Sequence, residues 1–175
     1  MDMIIKGKAY KFGDNIDTDI LAPGLTASFG LADASEMEDV KTHAFEQIRP
    51  DFYKEVIPGS ILIAGRNFGF GSHREHATTV IEYLGFKIII ADSVARLYQR
   101  NSFAIGFPVL EVPGITKMVE EGDELEINLA NCSIKNFRTG NTISIEPLSE
   151  IAQEIIEAGG IIEHMKNTLE KEKNA

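Results

Sequence analysis

Chemistry-bearing residue types concentrate in one stretch, Gly65-Arg66-Asn67-Phe68-Gly69-Phe70-Gly71-Ser72-His73-Arg74-Glu75-His76-Ala77. Glycines just ahead of a helix start permit tight backbone geometry, and the unpaired N–H groups of a first helical turn, together with the helix dipole, favour an anion there. A carboxylate or phosphate at that point would meet Arg74, whose planar guanidinium matches such groups with two parallel hydrogen bonds. The same residues admit a plainer reading. Ser72-His73-Arg74-Glu75 is also an S-x-x-E capping box, in which Ser72 and Glu75 only satisfy orphan backbone donors, and spacing alone leaves the two readings level. Other motifs fit worse. A P-loop ends in Gly-Lys-Ser/Thr and no lysine stands here, a nucleophile elbow needs a glycine where Arg74 stands, and Gly69-Phe70-Gly71 lacks the third glycine of a dinucleotide fingerprint.

His73 and His76, three apart, could share a metal on one helix face, but no third ligand of good spacing follows, so the pair reads as hydrogen-bonded scaffold. Asp14, Asp17 and Asp19 resemble a calcium loop superficially, yet counting from Asp17 puts Leu21 where a third oxygen ligand is needed. Arg96 and Arg100 lie one helical turn apart, which suits either an anion or a plain charged face. Cys132, beside Asn131, reads as an unreactive thiol.

The elements that must hold these residues follow from periodicity and punctuation. Met3 to Phe12 alternates loosely and predicts a first strand, and Asp14 to Asp19 predicts a turn, because Asn and Asp side chains bond the local backbone. Ile20 to Leu31, with Pro23, Gly24 and Gly30, has no period and reads as a long surface loop, a kind of segment that tends to carry function. A helix is predicted from about Ser35 to Ile48, with Met37, Val40, Ala44 and Ile48 on one face, then a short strand at Ile61 to Ala64. The glycine-rich stretch follows, leading to a helix from about His73 to Leu84 that buries Ala77, Val80, Ile81 and Leu84. Lys87 to Ala91 predicts an interior strand, and a helix capped by Ser93 is expected from Val94 to Ile105. A strand near Val109 to Val112 and a short helix near Thr116 to Glu120 precede three strands, Glu124 to Leu129, Ser133 to Phe137 and Thr142 to Ile145. The chain closes with two helical stripes, one of Ile151, Ile155 and Ile156, the other of Ile161, Met165 and Leu169. Gly159-Gly160 separates them, and KEKNA forms a solvated tail. With no repeat and no linker, residues 1–175 read as one domain. Strands alternating with helices, flanked by antiparallel-looking strands, predict a mixed α/β layered fold.

Composition narrows the function classes. A chain of 175 residues, 43% hydrophobic and 25% charged, is long enough for a sizeable core and excludes disordered or collagen-like architectures. Seventeen Lys+Arg against 27 Asp+Glu gives a net charge of −10, the opposite of what phosphate neutralisation needs, so nucleic acid and anionic membranes are poor partners. Apolar runs such as Ile88-Ile89-Ile90-Ala91 are too short to span a bilayer, and MDMIIKGKAY lacks an apolar leader, so the chain reads as cytoplasmic. One cysteine cannot supply a zinc or iron–sulfur site that needs several thiolates; any cluster must come from another chain.

The stretch Gly69-Phe70-Gly71-Ser72-His73-Arg74-Glu75-His76-Ala77 resembles the signature of the aconitase superfamily's swivelling domain, most of all its stand-alone small subunits of the 3-isopropylmalate dehydratase and homoaconitase type. Lys11-Phe12-Gly13-Asp14-Asn15-Ile16-Asp17-Thr18-Asp19 is similar to the N-terminal pattern of that group, and Ala91 to Asn101 to the stretch after its central strand, so the similarity runs in order from about Ile5 to Pro113. The resemblance implies an α/β fold of the layered β/β/α swivelling type. It also implies a two-chain hydro-lyase whose larger subunit carries a four-iron, four-sulfur cluster, with no cofactor bound by this chain. The substrate would be a 2-hydroxy dicarboxylate, isomerised by dehydration and rehydration in leucine biosynthesis, with Ser72 as catalytic base and Arg74 gripping a carboxylate. Gly71, His73, Leu25 and Thr26 would contact substrate. His73 stands where the family has a second serine, and Phe70 where it has a cysteine or other small residue. Ala22 to Phe29 replaces a Tyr-Leu-x-x specificity motif and holds no arginine for a third carboxylate; Leu25 and Phe29 favour an alkyl-substituted malate. Citramalate, 2,3-dimethylmalate and homoaconitate dehydratases are alternatives within the class, and a non-catalytic anion-binding module is the alternative outside it.

Overall fold

The computed structural model describes residues 4–23 and 34–173. Strands β1 (Ile4–Lys11), β2 (Ser60–Ala64), β3 (Phe86–Ala91) and β4 (Val109–Glu111) are parallel. Strands β5 (Glu124–Asn128), β6 (Ser133–Asn136) and β7 (Thr142–Ser144) continue antiparallel from the free edge of β1, giving the order β4-β3-β2-β1-β5-β6-β7. Every residue of β2 is buried and β3 exposes only Lys87, because both faces of these strands are covered; this is why they read as continuous apolar runs rather than alternating ones.

On one face lie α2 (Ala34–His43), α3 (His76–Tyr83) and α4 (Arg96–Ala104), over an aromatic core in which Phe12 stacks on Phe45 at 4.3 Å and Phe52 meets both edge-on. On the other face Ile61, Ile63, Ile88 and Ile90 share a core with Ile5, Leu125, Ile127 and Ile134. One continuous sheet therefore curls so that its antiparallel arm covers the back of its parallel half, producing β/β/α layering. Helix α5 (Ile115–Met118) closes the end of that second core through Ile115. Helices α6 (Glu150–Ala158) and α7 (Ile161–Lys173) end the chain. No helix among the described residues is long and apolar enough to cross a membrane.

Asp123 anchors the antiparallel arm. Its carboxylate is buried and accepts hydrogen bonds from Arg138 Nη2 at 3.0 Å, Asn136 Nδ2 at 2.7 Å and the Glu120 amide at 2.9 Å. The Arg138 guanidinium is the main cause that holds this carboxyl at about 2.

Three expectations shift. The helix predicted to reach Ile48 stops at His43: Phe45 takes a left-handed backbone (φ 62°), donates its amide to the Ile20 carbonyl and turns its ring onto Phe12, leaving Ile48 exposed. Ser93 does not cap α4, because its hydroxyl accepts the Asn67 amide at 2.8 Å and the helix begins at Arg96. The expected tail is helical as far as Lys173, though exposed.

Candidate active site

The three loops that leave the carboxyl ends of β1, β2 and β3 converge, the place where open parallel sheets present ligands. After β1, Asn15 donates its amide to the Arg66 carbonyl; after β2, Gly69 donates to Ile16 and Phe68 to Ser93. Bridges pair Asp17 with Phe70 and Phe68 with Val94, so the three loops extend the parallel ladder beyond the sheet. Arg66 clamps the first loop, with Nη2 2.6 Å and Nε 3.0 Å from Asp14 Oδ2, and this guanidinium holds the Asp14 carboxyl below the usual carboxylate range. Glycine is required at Gly69: its φ is +74° and a Cβ there would overlap the buried ring of Tyr98, whose hydroxyl donates to the Ala77 carbonyl at 3.1 Å.

These contacts deliver Ser72 and Arg74 to the surface side by side. The amide of Ser72 donates to Thr18 Oγ1 at 2.7 Å, and Thr18 is buried. Ser72 Oγ accepts twice from Arg74, from the backbone amide at 3.2 Å and from Nε at 3.1 Å. Arg74 Nη2 donates to Asp19 Oδ1 at 2.8 Å and to the Ala22 carbonyl at 3.4 Å, while Nη1 makes no hydrogen bond among the described residues. Asp19 thus orients the guanidinium of a side chain that is 24% exposed and that touches the serine oxygen. A cation at hydrogen-bond distance lowers the cost of negative charge on that oxygen, and the N–H groups of Nη1 remain to donate to a carboxylate.

The helix cap fails as an account of Ser72. Helix α3 starts at His76, its preceding residue Glu75 makes no side-chain cap bond, and Ser72 Oγ is occupied by Arg74. Tertiary bonds prevent an earlier start: Thr18 holds the Ser72 amide, and Asn101 Nδ2 donates to the His73 carbonyl at 2.9 Å. The expected support from a helix N-terminus is therefore displaced along the chain from Ser72, and Arg74 supplies the positive charge instead. Gly71 adjoins Ser72 with φ +105° and Thr18 Oγ1 beneath it. His73 and His76 part company. His73 is exposed beside α4, whereas His76 is fully buried with Nε2 3.3 Å from Glu36 Oε2, packing α3 on α2. Among the described residues no three metal-ligating side chains come together. Leu25, Thr26 and Phe29 lie outside the described residues.

Two residues escaped the sequence reading. Asp19 and Thr18 looked like parts of a turn, and Asp17 does cap the helical turn α1 (Thr18–Leu21) through its carboxylate, which accepts the Asp19 and Ile20 amides. The signal available was that β1 and β2 are parallel neighbours, which forces the loops after them together.

The aconitase C-terminal domain family matches residues 24–113. The chain is 40% identical over 169 residues to the isopropylmalate/citramalate isomerase small subunit of Methanocaldococcus jannaschii, covering 97% of this chain and 98% of that protein. It is 42% identical over 170 residues to the 3-isopropylmalate dehydratase small subunit of Thermodesulfovibrio yellowstonii, covering 97% and 98%. The crystal structure of a 3-isopropylmalate dehydratase protein from Methanocaldococcus jannaschii superposes with a TM-score of 0.85 at 36% identity, covering 99% of this chain and all of that one. A fold, a loop system and near-full-length similarity thus agree: the chain belongs to the aconitase C-terminal domain family, among the small subunits of the 3-isopropylmalate dehydratase type.

Proposed function

We propose that this chain, as one domain over residues 1–175, is the small subunit of a two-chain hydro-lyase that converts 2-isopropylmalate to 3-isopropylmalate by dehydration and rehydration. The observation that carries the reading is the pair of Arg74 donors on Ser72 Oγ, with Asp19 fixing the guanidinium. Ser72 Oγ takes the proton from the carbon next to a substrate carboxylate. The C–H electron pair becomes the double bond as the hydroxyl leaves from the neighbouring carbon, and rehydration with the opposite regiochemistry returns the proton from Ser72. A serine hydroxyl is a weak base in water, so its alkoxide depends on preorganised charge, which Arg74 provides at contact distance. The free Nη1 edge of Arg74 binds the carboxylate adjacent to that proton, and His73, exposed next to Ser72, takes the place of the family's second serine.

In this reading the larger subunit brings a four-iron, four-sulfur cluster, which supplies Lewis acidity to the departing hydroxyl. Residues of this chain do not fit such a group. The single cysteine, Cys132, follows the end of β5, and the register pairs Asn128 with Ile4, the amino end of β1, whereas Ser72 lies beyond the carboxyl ends of the parallel strands. In this reading the chain works in the cytoplasm, and a single cysteine, which cannot form an intrachain disulfide, suits a reducing compartment.

A second reading keeps the site and changes the substrate to citramalate; it is favoured by the name of the Methanocaldococcus relative, isopropylmalate/citramalate isomerase small subunit. The test is reconstitution with the large subunit of the same genome and anaerobic assay of unsaturated-acid absorbance on 2-isopropylmalate, citramalate and 2,3-dimethylmalate. Highest kcat/KM on 2-isopropylmalate is the expected result. A preference for citramalate selects the second reading, and turnover of none of the three overturns both.

A further inference from the structure

Helix α7 buries none of its thirteen residues although it carries an apolar stripe: Ile161, Ile162, Met165 and Leu169 are 41%, 64%, 57% and 53% exposed. The stripe starts beside other exposed apolar side chains, because α7 packs on α6 and α4 and Ile161 shares a groove with Ile151, 54% exposed, and Leu97, 53% exposed. Between these helices runs a groove of about 470 Å³, whose lining includes His73, Leu97, Arg100, Ile151, Ile155 and Ile161. His73 follows Ser72 directly, and its carbonyl is fixed by Asn101 of α4. The apolar groove therefore extends to the residue next to Ser72.

Charge at this face is also unusual for the molecule. Arg49, Arg66, Arg74 and Arg138 each hold a carboxylate, while Arg96 and Arg100, both exposed on α4, hold none among the described residues. In a chain of net charge −10, unpaired arginines beside bare apolar side chains are the composition of an interface, where Arg is enriched and large apolar anchors carry the energy.

We propose that the α4–α6–α7 face is the docking surface for the larger subunit, which meets it with an apolar patch rimmed by carboxylates. The assignment rests on the two-chain reading above: a partner that completes chemistry at Ser72 must approach the catalytic loop, and this face begins at His73. Met165 and Leu169 fill an apolar cleft of the partner, and Arg96 with Arg100 steer its approach.

The test uses the full chain and the purified large subunit from the same genome, with binding measured by biolayer interferometry and self-association by sedimentation. Met165→Glu combined with Leu169→Glu alters only exposed positions, so the thermal transition should stay within a few degrees, and binding of the large subunit should weaken roughly 30-fold or more. Arg96→Glu combined with Arg100→Glu is a second, independent probe: association should slow about tenfold at low salt, with less difference at high salt. Wild-type affinity in both double variants overturns the proposal, as does loss of self-association with unchanged partner binding, which assigns the face to a second copy. Absence of any binding by the wild-type chain fails the two-chain reading itself. If the apolar double variant does not fold, the arginine pair decides.

Discussion

The position of Ser72 depends on a buried hydroxyl, which makes Thr18→Val an informative perturbation. Valine keeps the shape of the side chain and removes the acceptor that holds the Ser72 amide at 2.7 Å, while the amide of residue 18 still donates to the Phe70 carbonyl. A buried N–H left without a partner costs about 1–3 kcal/mol, and because Ser72 is half-buried and water can reach it, the lower end of about 1 kcal/mol applies. The catalytic effect is larger. If Ser72 is the base as proposed, freeing its tether lets Oγ drift from the substrate proton; a displacement near 1 Å costs on the order of 100-fold, so kcat should fall by about 10 to 100. KM should change little, because Asp19 still holds Arg74. Thr18→Ser is the control: it keeps the hydroxyl and loses one methyl group, worth about 0.8 kcal/mol, so it should be slightly less stable and nearly as fast as wild type. Urea unfolding of the chain and steady-state kinetics of the reconstituted enzyme give both quantities. A Val variant with wild-type kcat, or a Ser variant as slow as the Val variant, would refute the tether and point to methyl packing instead.

Other consequences follow from the same geometry. Gly69→Ala puts a Cβ into the Tyr98 ring at a left-handed backbone, two costs of about 1–3 kcal/mol each; differential scanning fluorimetry should show a lowered Tm, and an unchanged Tm contradicts the packing described. Arg74→Lys replaces a planar guanidinium with a point charge, so the Nε contact to Ser72 is lost and the proposed carboxylate grip with it; KM should rise and kcat fall together, and a variant with wild-type values for both rules out either role. Asp123 is a group of depressed pKa, so its contribution is present above the unfolded value near 3.9 and is lost as pH falls through 4 towards 2. Arg138→Ala, which removes the main cause of that depression, should lower stability at pH 7. Denaturant titrations at pH 7 and pH 2.5 should show that difference shrinking in acid; a constant difference would place the effect in packing.

Much of the sheet was legible because its central strands are fully buried. Ile61 to Ala64 and Ile88 to Ala91 are buried apolar runs, and the strands from Glu124 onward alternate as a one-sided arm must. Helix ends were harder, since long-range bonds set them. Phe45 leaves α2 for a ring stack with Phe12, a residue far away in sequence, and Ser93 gives its hydroxyl to Asn67 rather than to α4. The candidate site shows the same division. Ser72 and Arg74 are visible as a pair in the motif, but the roles of Thr18 and Asp19 depend on parallel pairing of β1 with β2, which a local reading of a D-T-D turn does not contain. The capping box was a fair local inference that tertiary contacts overrode: once Thr18 and Asn101 hold the segment, Ser72 faces Arg74 instead of a helix end.

The most direct measurement is turnover of 2-isopropylmalate by the reconstituted enzyme carrying Ser72→Ala. If Ser72 is the base, kcat falls by roughly 1,000-fold or more, while KM, association with the large subunit and the unfolding transition stay close to wild type, the lost acceptor for Arg74 costing only about 1 kcal/mol. Turnover within a few-fold of wild type would show that another group removes the proton and that Ser72 serves only to seat Arg74.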